Sequence, residues 1–137
     1  MIIKTLSLKN FRNHSNLTYE FSPKLNILTG QNAVGKTNVV EAIYYLSLSR
    51  SFRTSDDVDL IQKGKSSAEI TAVCEEGDLK RKVKIIISES GKHVFINGKA
   101  ISKISELSNC MNVLLFEPKD VLMFRDSPKT RRNFIDI

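Results

Sequence analysis

The sequence predicts an α/β fold in which a mixed sheet packs on one central helix, with antiparallel strands added around it. Three observations lead there. Apolar and polar residues alternate at the period of a strand in the first 30 residues and again between positions 69 and 96. From position 35 the spacing changes to threes and fours, as in an amphipathic helix. Where the two patterns meet stands Gly30-Gln31-Asn32-Ala33-Val34-Gly35-Lys36-Thr37, a G-x-x-x-x-G-K-T run. With 137 residues, 41% of them hydrophobic and 26% charged, the chain has the size and composition of a single lobe, residues 1–137, with its own core.

Taken in order, Ile3, Leu6 and Leu8 alternate imperfectly with polar neighbours, and Leu17, Tyr19 and Phe21 do so cleanly. Ser22-Pro23 marks a turn, and Leu25–Leu28 reads as a short strand entering Gly30. The helix runs to about Leu48, with Val39, Val40, Ile43, Tyr44 and Leu46–Ser47 on one apolar face. Residues 49–67 are polar, apart from the Val58–Ile61 cluster, which predicts a surface segment with one helical turn. Strands are expected at Glu69–Cys74 and Leu79–Ile87, joined by Glu75-Glu76-Gly77-Asp78, and a third at His93–Ile96 before the tight Asn97-Gly98 turn. Ile104–Leu107 suits a short helix and Val113–Phe116 a buried strand. Pro118 and Pro128 stand at first-turn positions of two further helices.

Composition narrows the function classes. The longest apolar run, Ala42–Leu46, is far short of the roughly 18 residues a spanning helix needs, so no membrane partner is expected. The N-terminus lacks the apolar core of a signal peptide, which argues for a cytoplasmic protein. Cys74 and Cys110 stand far apart with no C-x-x-C and no nearby histidine, so reduced thiols are expected rather than zinc ligands or a disulfide. A formal net charge of +6 suits a polyanionic partner without specifying one.

The Gly30–Thr37 run carries the chemistry. Its glycines let backbone N–H groups turn inward around phosphate oxygens, Lys36 brings a mobile charge to the terminal phosphates, and the Thr37 hydroxyl suits Mg²⁺. The helix that follows points its positive end at the same anion. The base-reading N-K-x-D motif of guanine-specific proteins is absent, which favours ATP. Hydrolysis further needs a carboxylate after an apolar strand. Val113–Phe116 followed by Glu117, and Ile70–Cys74 followed by Glu75-Glu76, imitate that pattern only loosely.

Leu8-Lys9-Asn10-Phe11-Arg12-Asn13, then Asn26–Gly30, then GQNAVGKTN (30–38) running into Val39–Tyr44, resemble the ABC-type ATPase heads of the SMC and Rad50 proteins. Ser49–Arg53, Val113–Lys119, Ser127-Pro128 and Arg131–Asp136 narrow the likeness to the RecF family of DNA repair proteins, over the whole chain from Ile2. The resemblance implies an ABC/SMC-type P-loop head lobe that binds ATP and Mg²⁺ through Gly30, Gln31, Asn32, Ala33, Val34, Gly35, Lys36, Thr37 and Asn38, with Arg12 and Asn13 beside the nucleotide and Arg12 on phosphate. It also implies an ATP-dependent homodimer that binds gapped or double-stranded DNA, works with RecR and RecO, and helps load RecA. In that family the signature motif, Walker B acids and switch histidine follow the segment matched here. The expectation is therefore an N-terminal piece with the binding half of an ATPase site and no catalytic residue of its own. Ala33 stands where the wider superfamily often has glycine, and no glutamine stands near Leu114–Phe116 for a Q-loop.

Basic residues give the nucleic-acid candidates. On the strand expected at 79–87, Lys80, Lys82 and Lys84 share one face at about 6–7 Å spacing, which matches either a row of DNA phosphates or an ordinary solvated face. Arg50 and Arg53 follow the helix and are placed either to meet DNA or to hold the loop. Two other readings stay open beside the ATP-binding head: a complete small P-loop kinase or transferase, and a DNA-binding module with a vestigial phosphate loop.

Overall fold

The computed structural model describes residues 1–108 and 110–118. Strands β1 (Ile2–Phe11) and β2 (His14–Glu20) form a hairpin, followed by helix α1 (Lys36–Leu48) and a single 3-10 turn at Asp57–Leu60. Strands β3 (Ser67–Glu76), β4 (Leu79–Ser88), β5 (Gly91–Ile96) and β6 (Lys99–Ala100) come next, then helix α2 (Ser105–Ser108). The six strands lie in the order β2-β1-β3-β4-β5-β6, and each ladder is antiparallel. The described residues thus hold the antiparallel part of the expected sheet, with α1 against one of its faces.

Alternation decides which face that is. Ala68, Ile70, Ala72 and Cys74 of β3 and Val83, Ile85 and Ile87 of β4 point inward and are 0–1% exposed, alongside Leu6 and Leu8 of β1. Full burial of each large side chain contributes about 1.5–3 kcal/mol. The register is tightly set: β3 and β4 pair residue for residue from Ser67↔Ser88 to Glu76↔Leu79. Only β1 departs from it. A shift between Ile3 and Thr5 leaves Lys4 out of register, and its carbonyl accepts from Phe21 N at 2.8 Å. At the far hairpin both Asn97 and Gly98 take positive φ, 51° and 82°, as a tight two-residue turn requires. Asn97 also exchanges two 2.8 Å hydrogen bonds with the backbone of Lys82, which ties the turn back to β4.

Three expectations need correction. The buried face of α1 is Val39, Glu41, Ala42, Tyr45 and Leu46, with Ser47, so it is rotated from the expected stripe: Val40 is 38% exposed, and Ile43 and Tyr44 are half-buried. Glu41 packs inward on this face with its charge neutralised by Arg12 and Arg53. Leu25–Leu28 belongs to no strand, and Leu25 and Ile27 are about three-quarters exposed. Val113–Phe116 likewise joins no strand, with Leu114 95% and Phe116 72% exposed. Both segments have strand-like sequence, but no neighbouring strand among the described residues pairs with their backbone. The helices expected from Pro118 and Pro128 onward lie outside the described residues. Both cysteines are free and buried, with Cys74 Sγ 3.8 Å from Met111 Sδ.

Candidate nucleotide site

The site forms where the β1–β2 turn meets the start of α1. Phe11 pairs with His14, which leaves Arg12-Asn13 as the turn. Arg12 takes φ +53°, a left-handed conformation that costs a non-glycine residue about 1–2 kcal/mol. Its backbone N–H donates to the Leu60 carbonyl at 2.8 Å, so the 3-10 turn helps to hold this strained geometry.

The loop from Gly30 to Thr37 contains three residues with positive φ: Gly30 (147°), Ala33 (67°) and Gly35 (100°). Gly35 is required on two counts. Its φ is one that L side chains rarely adopt, and a Cβ there would lie 2.4 Å from His14 Nε2 and 2.5 Å from Asn13 Oδ1. Ala33 carries the strain that glycine would avoid. The Gly35 carbonyl accepts from Asn38 N at 3.0 Å and Val39 N at 3.2 Å, which opens α1 directly behind the loop. Lys36 Nζ lies across the loop, donating to the carbonyls of Gly30 at 2.7 Å and Gln31 at 2.6 Å. Thr37 is exposed in the first turn of α1.

Beside the loop runs a polar chain. Asn13 Nδ2 donates to the Ala33 carbonyl at 3.2 Å, and Asn38 Nδ2 donates to Asn13 Oδ1 at 2.7 Å. Arg53 Nη1 donates to Asn38 Oδ1 at 2.7 Å and to Glu41 Oε2 at 3.1 Å. Glu41, fully buried, also receives Arg12 through Nε at 3.0 Å and Nη2 at 2.7 Å, and the Ser51 hydroxyl at 2.6 Å. Burial pushes the Glu41 carboxyl up, but the hydrogen bonds from Arg12 and Ser51 and the charges of Arg12 and Arg53 outweigh it, holding the group below the ordinary carboxylate value. Arg12 Nη1 donates to the Asp59 carbonyl at 2.9 Å. Arg12, Asn13, Asn38, Arg53, Ile61 and Gln62 line an open hollow of about 750 Å³ next to the loop.

Of the residues singled out from the sequence, Arg12, Asn13, Asn38 and Arg53 therefore meet around the phosphate loop. Arg50 does not join them; it lines a neighbouring hollow with Arg53, Asp57 and Lys92. Lys80, Lys82 and Lys84 lie on the sheet face away from α1. Lys80 pairs with Glu75 at 3.6 Å and Lys84 with Glu69 at 2.8 Å. Glu75 pairs with Ile2, at the end of β1 away from the Arg12-Asn13 turn. The Glu75-Glu76 imitation of a metal carboxylate meets cations instead, Glu75 facing Lys4 at 3.8 Å and Lys80 at 3.6 Å and Glu76 the N-terminal ammonium at 3.7 Å. Two participants were missed: Glu41, signalled by a charge set inside an apolar helical stripe, and His14, whose Nε2 lies 3.2 Å from the Gly35 carbonyl.

Residues 2–120 match the model of the RecF/RecN/SMC N terminal domain. The chain belongs to this family. Among curated relatives, the DNA replication and repair protein RecF of Clostridium acetobutylicum is 44% identical over the whole of this chain, which spans 38% of that protein. RecF of Pediococcus pentosaceus is 40% identical, again over all of this chain and 37% of its own length. Among solved structures, a recombination mediator protein RecF-ATPrS in the RecFOR pathway superposes with a TM-score of 0.91 at 28% identity, covering 98% of this chain and 37% of that one. The SMC head domain from Thermotoga maritima, at TM-score 0.63 and 23% identity over 82% of this chain and 43% of that one, shares the fold. In this RecF/RecN/SMC domain the fold class expected from the sequence is met: a head-type lobe with antiparallel strands around the helix that follows the phosphate loop.

Proposed function

We propose that this chain is the ATP-binding part of a RecF-type DNA repair protein. The observation that carries the reading is the Gly30–Thr37 loop, whose three positive-φ residues lead directly into the N-terminus of α1 beside Lys36. Its relatives' names and an ATP-bound RecF of the same fold support it. In this reading Lys36 and the loop N–H groups of 30–38 take the phosphates, with Arg12, Asn13 and Asn38 beside them on the wall of the hollow. Among the described residues no three His, Cys, Asp or Glu side chains gather to hold a metal, so Mg²⁺ would be shared between the exposed Thr37 hydroxyl and the phosphates. The ion would neutralise phosphate charge there. Binding without appreciable hydrolysis is the expected property of this chain alone.

A fluorescent ATP analogue titrated against wild type and Lys36→Ala tests the claim. The variant should bind at least tenfold more weakly, since a charged hydrogen bond is worth about 1.5–3 kcal/mol. Equal binding would overturn it.

The wider role follows the family: an ATP-dependent homodimer in the cytoplasm, binding gapped or duplex DNA, acting with RecR and RecO and aiding RecA loading. Among the described residues no helix is long and apolar enough to cross a membrane. For DNA, Lys82 is the member of the β4 row with no ion pair among the described residues, whereas Lys80 and Lys84 would have to leave Glu75 and Glu69. Arg50, exposed beside Lys92, is a second candidate. Replacing Lys80, Lys82 and Lys84 together by alanine should flatten the salt dependence of duplex binding; an unchanged slope removes this face from the interface.

A further inference from the structure

We infer that Glu41 is a positioning residue for the nucleotide site: a buried carboxylate that fixes Arg12 and Arg53 on the wall beside the phosphate loop, with N–H donors left over for an anion. This rests on the nucleotide reading above and names a determinant of affinity at the same site.

A carboxylate with no exposure is costly unless fully paired, and Glu41 receives four hydrogen bonds from three side chains on two segments. Its partners come from the β1–β2 turn and from residues 51–53, so one side chain joins both to the second turn of α1. The Arg12 pairing is bidentate through Nε and Nη2, which fixes the guanidinium plane as well as its position.

Donor counting shows what remains. A guanidinium has five N–H groups. Arg12 commits three, two to Glu41 and one to the Asp59 carbonyl, leaving two. Arg53 commits both hydrogens of Nη1, leaving Nε and Nη2. Arg12, Arg53, Lys63 and Lys65 against Asp59 and the Glu41 behind them leave a net positive wall on the hollow that both arginines line. The left-handed backbone of Arg12 fits the same picture, because strain persists where the surroundings over-determine a conformation. The chain Arg53–Asn38–Asn13–Ala33 then carries the position of Arg53 into the loop itself.

Glu41→Gln keeps the size of the side chain but replaces one acceptor oxygen by a donor that opposes the guanidinium. Displacement of a bound fluorescent ATP analogue by ATP and by inorganic tripolyphosphate, measured on wild type, Glu41→Gln, Glu41→Asp and Lys36→Ala, tests the inference alongside thermal unfolding of each. Glu41→Gln should raise the dissociation constant of the analogue and the inhibition constants of both competitors about tenfold. Glu41→Asp, which restores the charge, should recover most of the loss. Arg53→Gln, on a side chain that is 41% exposed, should show the same phosphate-dependent loss without unfolding the protein. Wild-type affinities in Glu41→Gln and Arg53→Gln, with Lys36→Ala impaired, would overturn the positioning role and leave the nucleotide site standing. So would a loss that follows melting temperature alone and is not relieved by Glu41→Asp. Unimpaired Lys36→Ala would instead overturn the nucleotide reading and this inference with it.

Discussion

The β3–β4 hairpin and the segment leading into the phosphate loop read alike in sequence and behave differently in the fold. In the hairpin, alternate residues from Ala68 to Cys74 and from Val83 to Ile87 are at most 1% exposed, and every residue has a partner in register. Between β2 and α1, Leu25 and Ile27 alternate just as regularly, yet remain 75% and 74% exposed with no ladder beside them. Hydrophobic period states which face a strand would bury. It does not state whether a surface is there to bury it against. The loop half depends instead on polar ties, such as Asn13 to Ala33 and Lys36 to Gly30 and Gln31.

The sharpest way to break this comparison is truncation on each side of it. Ile85→Ala removes a side chain with no exposure and should cost about 3–4 kcal/mol, read as a lower denaturant midpoint at unchanged slope. A smaller, opposite effect is expected at the loop: Ala33→Gly relieves a φ of +67° and should raise stability by about 1 kcal/mol. Smallest of all, Ile27→Ala should stay within about 0.5 kcal/mol of wild type, as exposed positions do. A cost at Ile27 approaching that at Ile85 would mean that the segment is buried in solution, and the contrast would fail.

The same contrast explains how far the sequence could be read. The hairpins were legible because their signals are local: alternation over ten residues, and Asn97-Gly98 adopting the positive φ angles its residue types favour. The phosphate loop was legible for the same reason, since its glycines and Lys36 act within eight positions. The Glu41 cluster was not, because it joins Arg12, Glu41 and Arg53 across separations of 29 and 12 residues, and a pattern read along one helix treats a glutamate as outward-facing. That neutralised charge sits on the buried face of α1, where the sequence pattern placed Val40 instead. Leu25–Leu28 and Val113–Phe116 were misread for a different reason: strand formation is a property of a pair, and one member's sequence is silent about the other.

Lys36 gives the loop a further property. Its ammonium is held by two carbonyls of the same loop at 2.6–2.7 Å, so in the nucleotide reading proposed above an incoming phosphate would have to trade places with acceptors of the protein's own. The side chain behaves as a strap across the loop mouth, and recognition becomes a substitution of one acceptor set for another. Such a strap lowers the intrinsic affinity for any single anion, while keeping the backbone near the shape that the anion needs. On that reading, weak anions that could not outcompete two carbonyls would be turned away, and discrimination in favour of a multiply charged chain would begin with the lysine's resting contacts.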